Sequence, residues 1–188
     1  MNGEPVETER LRLRRWSSAD RNDLARILSD REVMAFSDRG PLSSSQVDRW
    51  LAQNIKEAPT GSALGSWAIE LKAQRTVVGY LRLSVTEGRI ANNEAEIGLR
   101  LAKSHWDQGF ATEAARKMVH QAFRDPTVAR IIGIVDPGNR RSVRMLVKLG
   151  MVRERDVAFE GYDHPDRRFT FSRAAALASG NLRSSERG

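Results

Sequence analysis

Residues 94–135 change hydrophobic period twice in one stretch, and few topologies accommodate that. From Glu94 to Leu101 the chain alternates. Ala95, Ile97, Leu99 and Leu101 share one face, and Glu94, Glu96, Gly98 and Arg100 the other, which is the period of a strand. Beyond Gly109 the spacing lengthens. Ala111, Ala114, Ala115, Met118, Val119, Ala122 and Phe123 recur at helical intervals, with Glu113, Arg116, Lys117, His120 and Gln121 opposite. Asp125-Pro126 ends that helix, because proline cannot donate the next hydrogen bond and disfavours helix in the residue before it. Ala129 to Val135 then reads as an apolar strand buried on both faces. A strand, a helix long enough to cross over and a second such strand imply a parallel pair at the centre of a sheet.

The turn between the first strand and the helix has its own chemistry. A helix N-terminus leaves backbone N–H groups without partners and carries the positive end of the helix dipole. Gly109 and Ala111 bring almost no side chain to that point, so an anion can reach the backbone, and the turn reads as a phosphate site. Gly-x-Ala before an amphipathic helix is also a common way to turn from strand to helix, so a second motif is needed to decide between the two.

The remaining elements follow in order. Glu9 to Trp16 alternates, with Leu11 and Leu13 inward and Arg10, Arg12 and Arg14 on a solvated side. Ser17 to Asp20 signals a helix start, followed by a short helix through Leu24, Ile27 and Leu28, and a helical turn is expected around Val33, Met34 and Phe36. Ser44 or Ser45 is expected to cap a helix with a stripe of Val47, Trp50, Leu51 and Ile55, broken at 58–61. Trp67 to Lys72 and Thr76 to Thr86 read as strands joined by a tight turn, with a further turn over 87–93. Asn139 caps a helix bearing Val143, Leu146 and Val147, and Gly150 ends it. Val152 to Phe159 and Arg168 to Phe171 are the last strands. Residues 1–8 read as a flexible N-terminus, 9–179 as a single domain and 180–188 as a disordered tail.

Composition excludes some classes and leaves others open. The chain has 188 residues and no cysteine, which rules out disulfides and thiolate metal sites. No apolar run approaches membrane-spanning length and the first residues lack the apolar core of a secretion signal, so a cytoplasmic protein that avoids membranes is the expectation. The net charge of +7 is interspersed, without Lys/Arg runs or interleaved aromatics, and this argues against nucleic acid as a partner. His105, His120 and His164 lack metal-ligand spacing, so no metal is expected, and Trp16 and Trp50 read as core.

The stretch Trp106-Asp107-Gln108-Gly109-Phe110-Ala111-Thr112-Glu113-Ala114 resembles the pyrophosphate loop of the GNAT acyl-CoA N-acyltransferases, and within them the branch of the RimJ/RimL ribosomal-protein N-terminal acetyltransferases. The superfamily usually places Gln or Arg where Trp106 stands, but tryptophan agrees with this branch. A second segment, Asn139-Arg140-Arg141-Ser142 followed by Lys148-Leu149-Gly150-Met151, resembles the family's Asn-x-x-Ser and Lys-x-Gly-Phe pattern, with Met151 in place of phenylalanine. The two motifs stand in the family's order, and the resemblance spans roughly residues 9–172.

The resemblance implies an α/β GNAT fold: a mixed, largely antiparallel twisted sheet with one central parallel pair and helices on both faces. It implies transfer of an acetyl group from acetyl-CoA, as co-substrate, to a primary amine. A protein N-terminal α-amine is the preferred acceptor and a small-molecule amine the alternative. A non-catalytic acyl-CoA-binding protein and a basic RNA-associated protein are the readings from other classes, and a homodimer is compatible with all of them. Cofactor contacts are expected at Leu99, Leu101, Trp106, Asp107, Gln108, Gly109, Phe110, Ala111, Thr112, Asn139, Arg140, Arg141 and Ser142. Backbone donors for the thioester carbonyl are expected between Leu99 and Ala102. Many members carry a tyrosine seven residues after the asparagine as proton donor; that position is Leu146, which leaves Ser142 as donor or as a first-turn cap. Glu96 is either a general base or a solvated strand carboxylate. Arg140 and Arg141 either reach a CoA phosphate or form a solvated helix start.

Overall fold

In a computed structural model describing residues 4–59, 61–85 and 93–178, the period changes of 94–135 become β5 (Glu94–Leu101), α3 (Phe110–Ala122) and β6 (Arg130–Val135). β5 and β6 are parallel, with Glu94 opposite Arg130 and Glu96 opposite Ile132. The other strands are β1 (Val6–Glu7), β2 (Leu11–Arg14), β3 (Gly65–Leu71), β4 (Thr76–Ser84), β7 (Val152–Val157) and β8 (Asp166–Ser172). They form one 8-stranded sheet in the order β1-β2-β3-β4-β5-β6-β8-β7, and every other neighbouring pair is antiparallel. The expected sheet, with its central parallel pair, is present.

Two apolar layers cover the sheet. On one face α3 lays Ala114, Ala115, Met118 and Val119 against Ala95, Ile97 and Leu101, all buried, and Leu146 of α4 (Arg140–Lys148) joins that layer. On the other face α1 (Arg21–Leu28) and α2 (Ser44–Lys56) pack Leu24, Ile27, Val47 and Leu51 over Ala68, Val77 and Tyr80. Trp16 is buried and Trp50 meets it edge-on at 5.3 Å, so both belong to this layer, as the sequence implied. Among the described residues no helix is long and apolar enough to cross a membrane.

Several boundaries differ from the sequence reading. The expected loose N-terminus contributes β1, whose Val6 is buried and pairs with Leu13; an isolated pair of residues is too short to show a period. The α2 cap is Ser43, one residue ahead of the expected serines, because the Oε1 of Gln46 three residues on accepts from the Ser43 N–H and completes a capping box. Ile55 and Val147, placed on apolar stripes, are 39% and 56% exposed, so each lies at the rim of its helix contact. β7 ends at Val157, ahead of the expected Phe159. An unanticipated short helix, α5 (Arg173–Ala178), follows β8 and buries Ala176. Most of the expected turn over 87–93, and the tail from 180, lie outside the described residues.

Candidate active site

The parallel pair is short, and this opens the sheet. β6 is in register with β5 only from Glu94 to Glu96, whereas β4 stays paired with β5 as far as Leu101. Beyond Glu96, no strand among the described residues pairs with the β5 edge on the β6 side. Antiparallel ladders point alternate residues' backbone groups to opposite sides. The Ala102 N–H donates to the Val78 carbonyl at 2.8 Å, so the even-numbered residues of β5 bond to β4. Ile97, Leu99 and Leu101 therefore turn their backbone groups towards the opening. This corrects the expected donor set at one end: Leu99 and Leu101 face the gap, but the Ala102 N–H is already used.

The turn after β5 is built for backbone exposure. Trp106 donates its indole N–H to the Leu101 carbonyl at 2.9 Å and so fixes the exit from the strand. Asp107 and Gly109 both take positive φ, 58° and 84°; at Gly109 any side chain would be strained. Gly109 is the N-cap of α3 and provides no side-chain cap, and the first helical hydrogen bond is that of Glu113 N–H to the Gly109 carbonyl. The N–H groups of Phe110, Ala111 and Thr112 thus precede the helix ladder and carry its dipole. This donor set fits a pyrophosphate. Phe110 contributes only its N–H, since its ring is 5% exposed and packs in the core, and Gln108 and Asp107 are exposed.

The second motif lies beside the first. Arg141 stacks over the Trp106 ring at 4.3 Å and reaches Asp107 at 3.3 Å, while Arg144, which the sequence did not single out, reaches the other Asp107 oxygen at 3.5 Å. Arg140 is exposed at the start of α4. Asn139 caps α4 by accepting the Ser142 N–H at 3.1 Å. The cap therefore does not use the Ser142 hydroxyl, and the half-buried Ser142 side chain has no part in that bond. Leu146 is 3% exposed and fills the space above Gly133, where an added Cβ would come within 2.8 Å of it.

Glu96 and Ser142 belong to different sides. Glu96, Gly98 and Arg100 alternate with the α3-facing residues and so face the α1/α2 side, where Arg100 donates to the Tyr80 hydroxyl at 2.7 Å. Ser142 starts α4, which packs on the α3 side. Between Glu96 and Arg100, Gly98 is exposed, and a Cβ there would meet nothing within 4 Å. On the α1/α2 face the sheet is thus open at Gly98, beside the end of the β5–β6 pairing.

The outer end of β6 gathers acid groups that sequence reasoning missed. Asp136 follows β6, Asp166 opens β8, and His164 from the preceding loop comes within 3.6 Å of Asp136. Ligand atoms of these three lie within 4.8 Å of one another, so His164 is not isolated, despite its position in the sequence. Burial, then the neighbouring carboxylates Asp136 and Asp38, push the Asp166 carboxyl above its ordinary value. Asp38, from the loop between α1 and α2, also lies close enough to Tyr162 to push the phenol above its ordinary value. Their separation in sequence hid this convergence. His120 sits elsewhere, on α3, where burial and then Arg116 and Lys117 hold its pKa down.

Over residues 10–152 the chain matches a family model described as an acetyltransferase (GNAT) domain. It is 30% identical over 151 residues to the uncharacterized N-acetyltransferase p20 of Bacillus licheniformis, covering 80% of this chain and 84% of that protein. Among solved structures, a GNAT-family acetyltransferase of Bacillus anthracis aligns with a TM-score of 0.78 at 22% identity, over 89% of this chain and 98% of the other. A spermidine N-acetyltransferase of Vibrio cholerae, solved with CoA and spermine, aligns with a TM-score of 0.73 at 19% identity, over 90% and 99%.

Proposed function

The chain belongs to the GNAT family of acetyltransferases, and from that premise we propose that it moves the acetyl group of acetyl-CoA onto a primary amine, with the N-terminal α-amine of a protein as the first acceptor class. The observation that carries this reading is the gap between β5 and β6. It is lined by the free backbone edge of β5, and the open N-terminus of α3 lies at the same end.

In the proposed reaction the turn 106–112 receives the pyrophosphate of acetyl-CoA through the N–H groups of Phe110, Ala111 and Thr112. Arg140, Arg141 and Arg144 stand on the adjoining helix for the remaining phosphate. The thioester lies in the gap, where the N–H groups of Leu99 or Leu101 donate to its carbonyl oxygen as negative charge develops. The amine enters over the open sheet face at Gly98. Its nitrogen lone pair attacks the carbonyl carbon, the carbon–sulfur bond breaks, and the amine proton is lost as the thiolate gains one. Ser142 donates to the leaving sulfur, and Glu96 accepts the amine proton directly or through water. An α-amine has a pKa of about 7.7–8.0, against about 10.4 for lysine. A site without a tyrosine acid or a strong base is therefore better matched to an α-amine.

A second acceptor reading has its own observation. Asp38, Asp136 and Asp166 converge at the outer end of β6, and such a mouth favours an acceptor with more than one ammonium group. Thiol release from acetyl-CoA over a panel of peptides and polyamines separates the two. The first reading predicts turnover with free peptide N-termini that vanishes when the N-terminus is blocked and lysines are left free. Turnover with polyamines alone would favour the second, and turnover with no amine would contradict both.

A further inference from the structure

The carboxylate of Glu113 stands in the first turn of α3, four residues after Gly109 and beside the N–H groups that face the proposed pyrophosphate. A carboxylate favours a helix N-terminus, but it repels an anion bound there. Glu113 is fully engaged by the N-terminal strand pair. Oε1 accepts from the Thr8 hydroxyl at 2.6 Å and the Arg10 backbone N–H at 3.0 Å, and Oε2 accepts from Arg10 Nε at 2.8 Å and lies 2.7 Å from Arg10 Nη2 in an ion pair. Burial alone would raise the Glu113 pKa, but these bonds from Thr8 and Arg10 outweigh it and hold the carboxyl below its ordinary range.

Arg10 also touches the turn itself. Its Nη1 donates to the Gln108 carbonyl at 3.1 Å, and its guanidinium stacks on Phe110 at 4.3 Å. Its Nη2 lies 3.4 Å from where a Cβ on Gly109 would be. The sequence assigns Arg10 to a solvated strand face. Its partner is 103 residues away, so no local pattern could have shown the pairing.

We propose that Arg10 is a positioning residue of the cofactor site: it cancels the Glu113 charge beside the pyrophosphate and turns the Gln108 carbonyl away from it. The inference rests on the reading of turn 106–112 as that site. It makes the N-terminal segment, through Thr8 and Arg10, part of cofactor binding and more than a sheet edge.

The test is acetyl-CoA affinity by calorimetry, at low and high salt, for the full chain and for Arg10→Ala, Arg10→Lys, Glu113→Gln and Gly109→Val. Arg10→Ala leaves Glu113 uncompensated and should weaken binding by about tenfold or more at low salt, the scale of one charge interaction near a protein surface, with a smaller loss at high salt. Arg10→Lys keeps the charge and should retain most of the affinity. Glu113→Gln removes the repelling group and leaves Arg10 cationic, so acetyl-CoA should bind at least as tightly as to the parent. A merely structural ion pair would make Arg10→Ala and Glu113→Gln weaken binding alike. Wild-type affinity in Arg10→Ala, or tenfold weaker binding in Glu113→Gln, overturns the inference even if Arg10→Ala proves poorly folded. Failure of the underlying site is distinguishable, because then Gly109→Val would bind acetyl-CoA as the parent does.

Discussion

At Ser142 a single residue type has two separable uses, one in the backbone and one in the side chain. The backbone N–H is spent on the Asn139 cap at 3.1 Å, and the hydroxyl, which takes no part in that bond, is the group proposed to donate to the leaving sulfur. Leu146 is buried against Gly133 and cannot supply a proton. Ser142→Ala should therefore lower kcat while acetyl-CoA affinity stays within about twofold, because a hydrogen bond to the departing sulfur strengthens only in the transition state. A pH–rate series under conditions where chemistry limits turnover checks this; full kcat at every pH would remove Ser142 from the mechanism. Asn139→Ala is the complementary control. It should lower stability by about 1 kcal/mol through loss of the cap. In the sequence Asn139 was legible as the cap of α4, but whether the Ser142 side chain also caps the first turn was not, because that depends on the bonds of one hydroxyl.

At the scale of elements, the sequence marked strands and helices wherever a period ran for several residues. β5, α3 and β6 were all readable in this way, and so was the parallel pairing they imply. What stayed hidden depended on partners far along the chain. β1 became a strand by pairing with β2, Arg14 left its expected solvated role to bind Asp20 and Glu70, and Arg10 and Thr8 met Glu113. The loss of pairing beyond Glu96 was also invisible, since period describes side chains and the gap is a matter of backbone register. Two glycines of the β4–β5 ladder test that register from opposite sides. At Gly79 an added Cβ would come within 2.4 Å of the Arg100 carbonyl, whereas at Gly98 it meets nothing within 4 Å. Gly79→Ala should lower the melting temperature markedly. Gly98→Ala should leave it unchanged or slightly raised, since alanine loses less freedom on folding, by roughly 0.5–1 kcal/mol. It should raise the acceptor KM by occupying the open face proposed as the amine's path, without changing acetyl-CoA affinity. Equal melting temperatures for the two variants would show that the ladder register is wrong, and an unchanged acceptor KM in Gly98→Ala would move the amine's path elsewhere.

For the whole molecule, the net charge of +7 sits on a chain in which many arginines are engaged within the fold. Arg10, Arg14, Arg21 and Arg168 each form ion pairs with carboxylates, and Arg168 and Glu94 do so while buried. Arg15 spends its guanidinium on the carbonyls of Pro59, Ser62 and Leu64, and burial brings its pKa down to about 10. Arginine here is largely a device for tying loops and strands together. Where α4 meets the turn after β5, Arg141 and Arg144 share the one carboxylate of Asp107, which leaves a local excess of positive charge beside the gap in the sheet. The most direct measurement on the account as a whole is the affinity of acetyl-CoA for the parent chain and for Gly109→Val, read by calorimetry with the circular dichroism spectrum of each. Binding by the parent that is lost or reduced at least tenfold in a folded Gly109→Val is the result predicted, since a branched side chain at a φ of 84° blocks the approach to the α3 N–H groups. Unchanged affinity in a Gly109→Val variant whose spectrum matches the parent would contradict the assignment of the turn as the acetyl-CoA site.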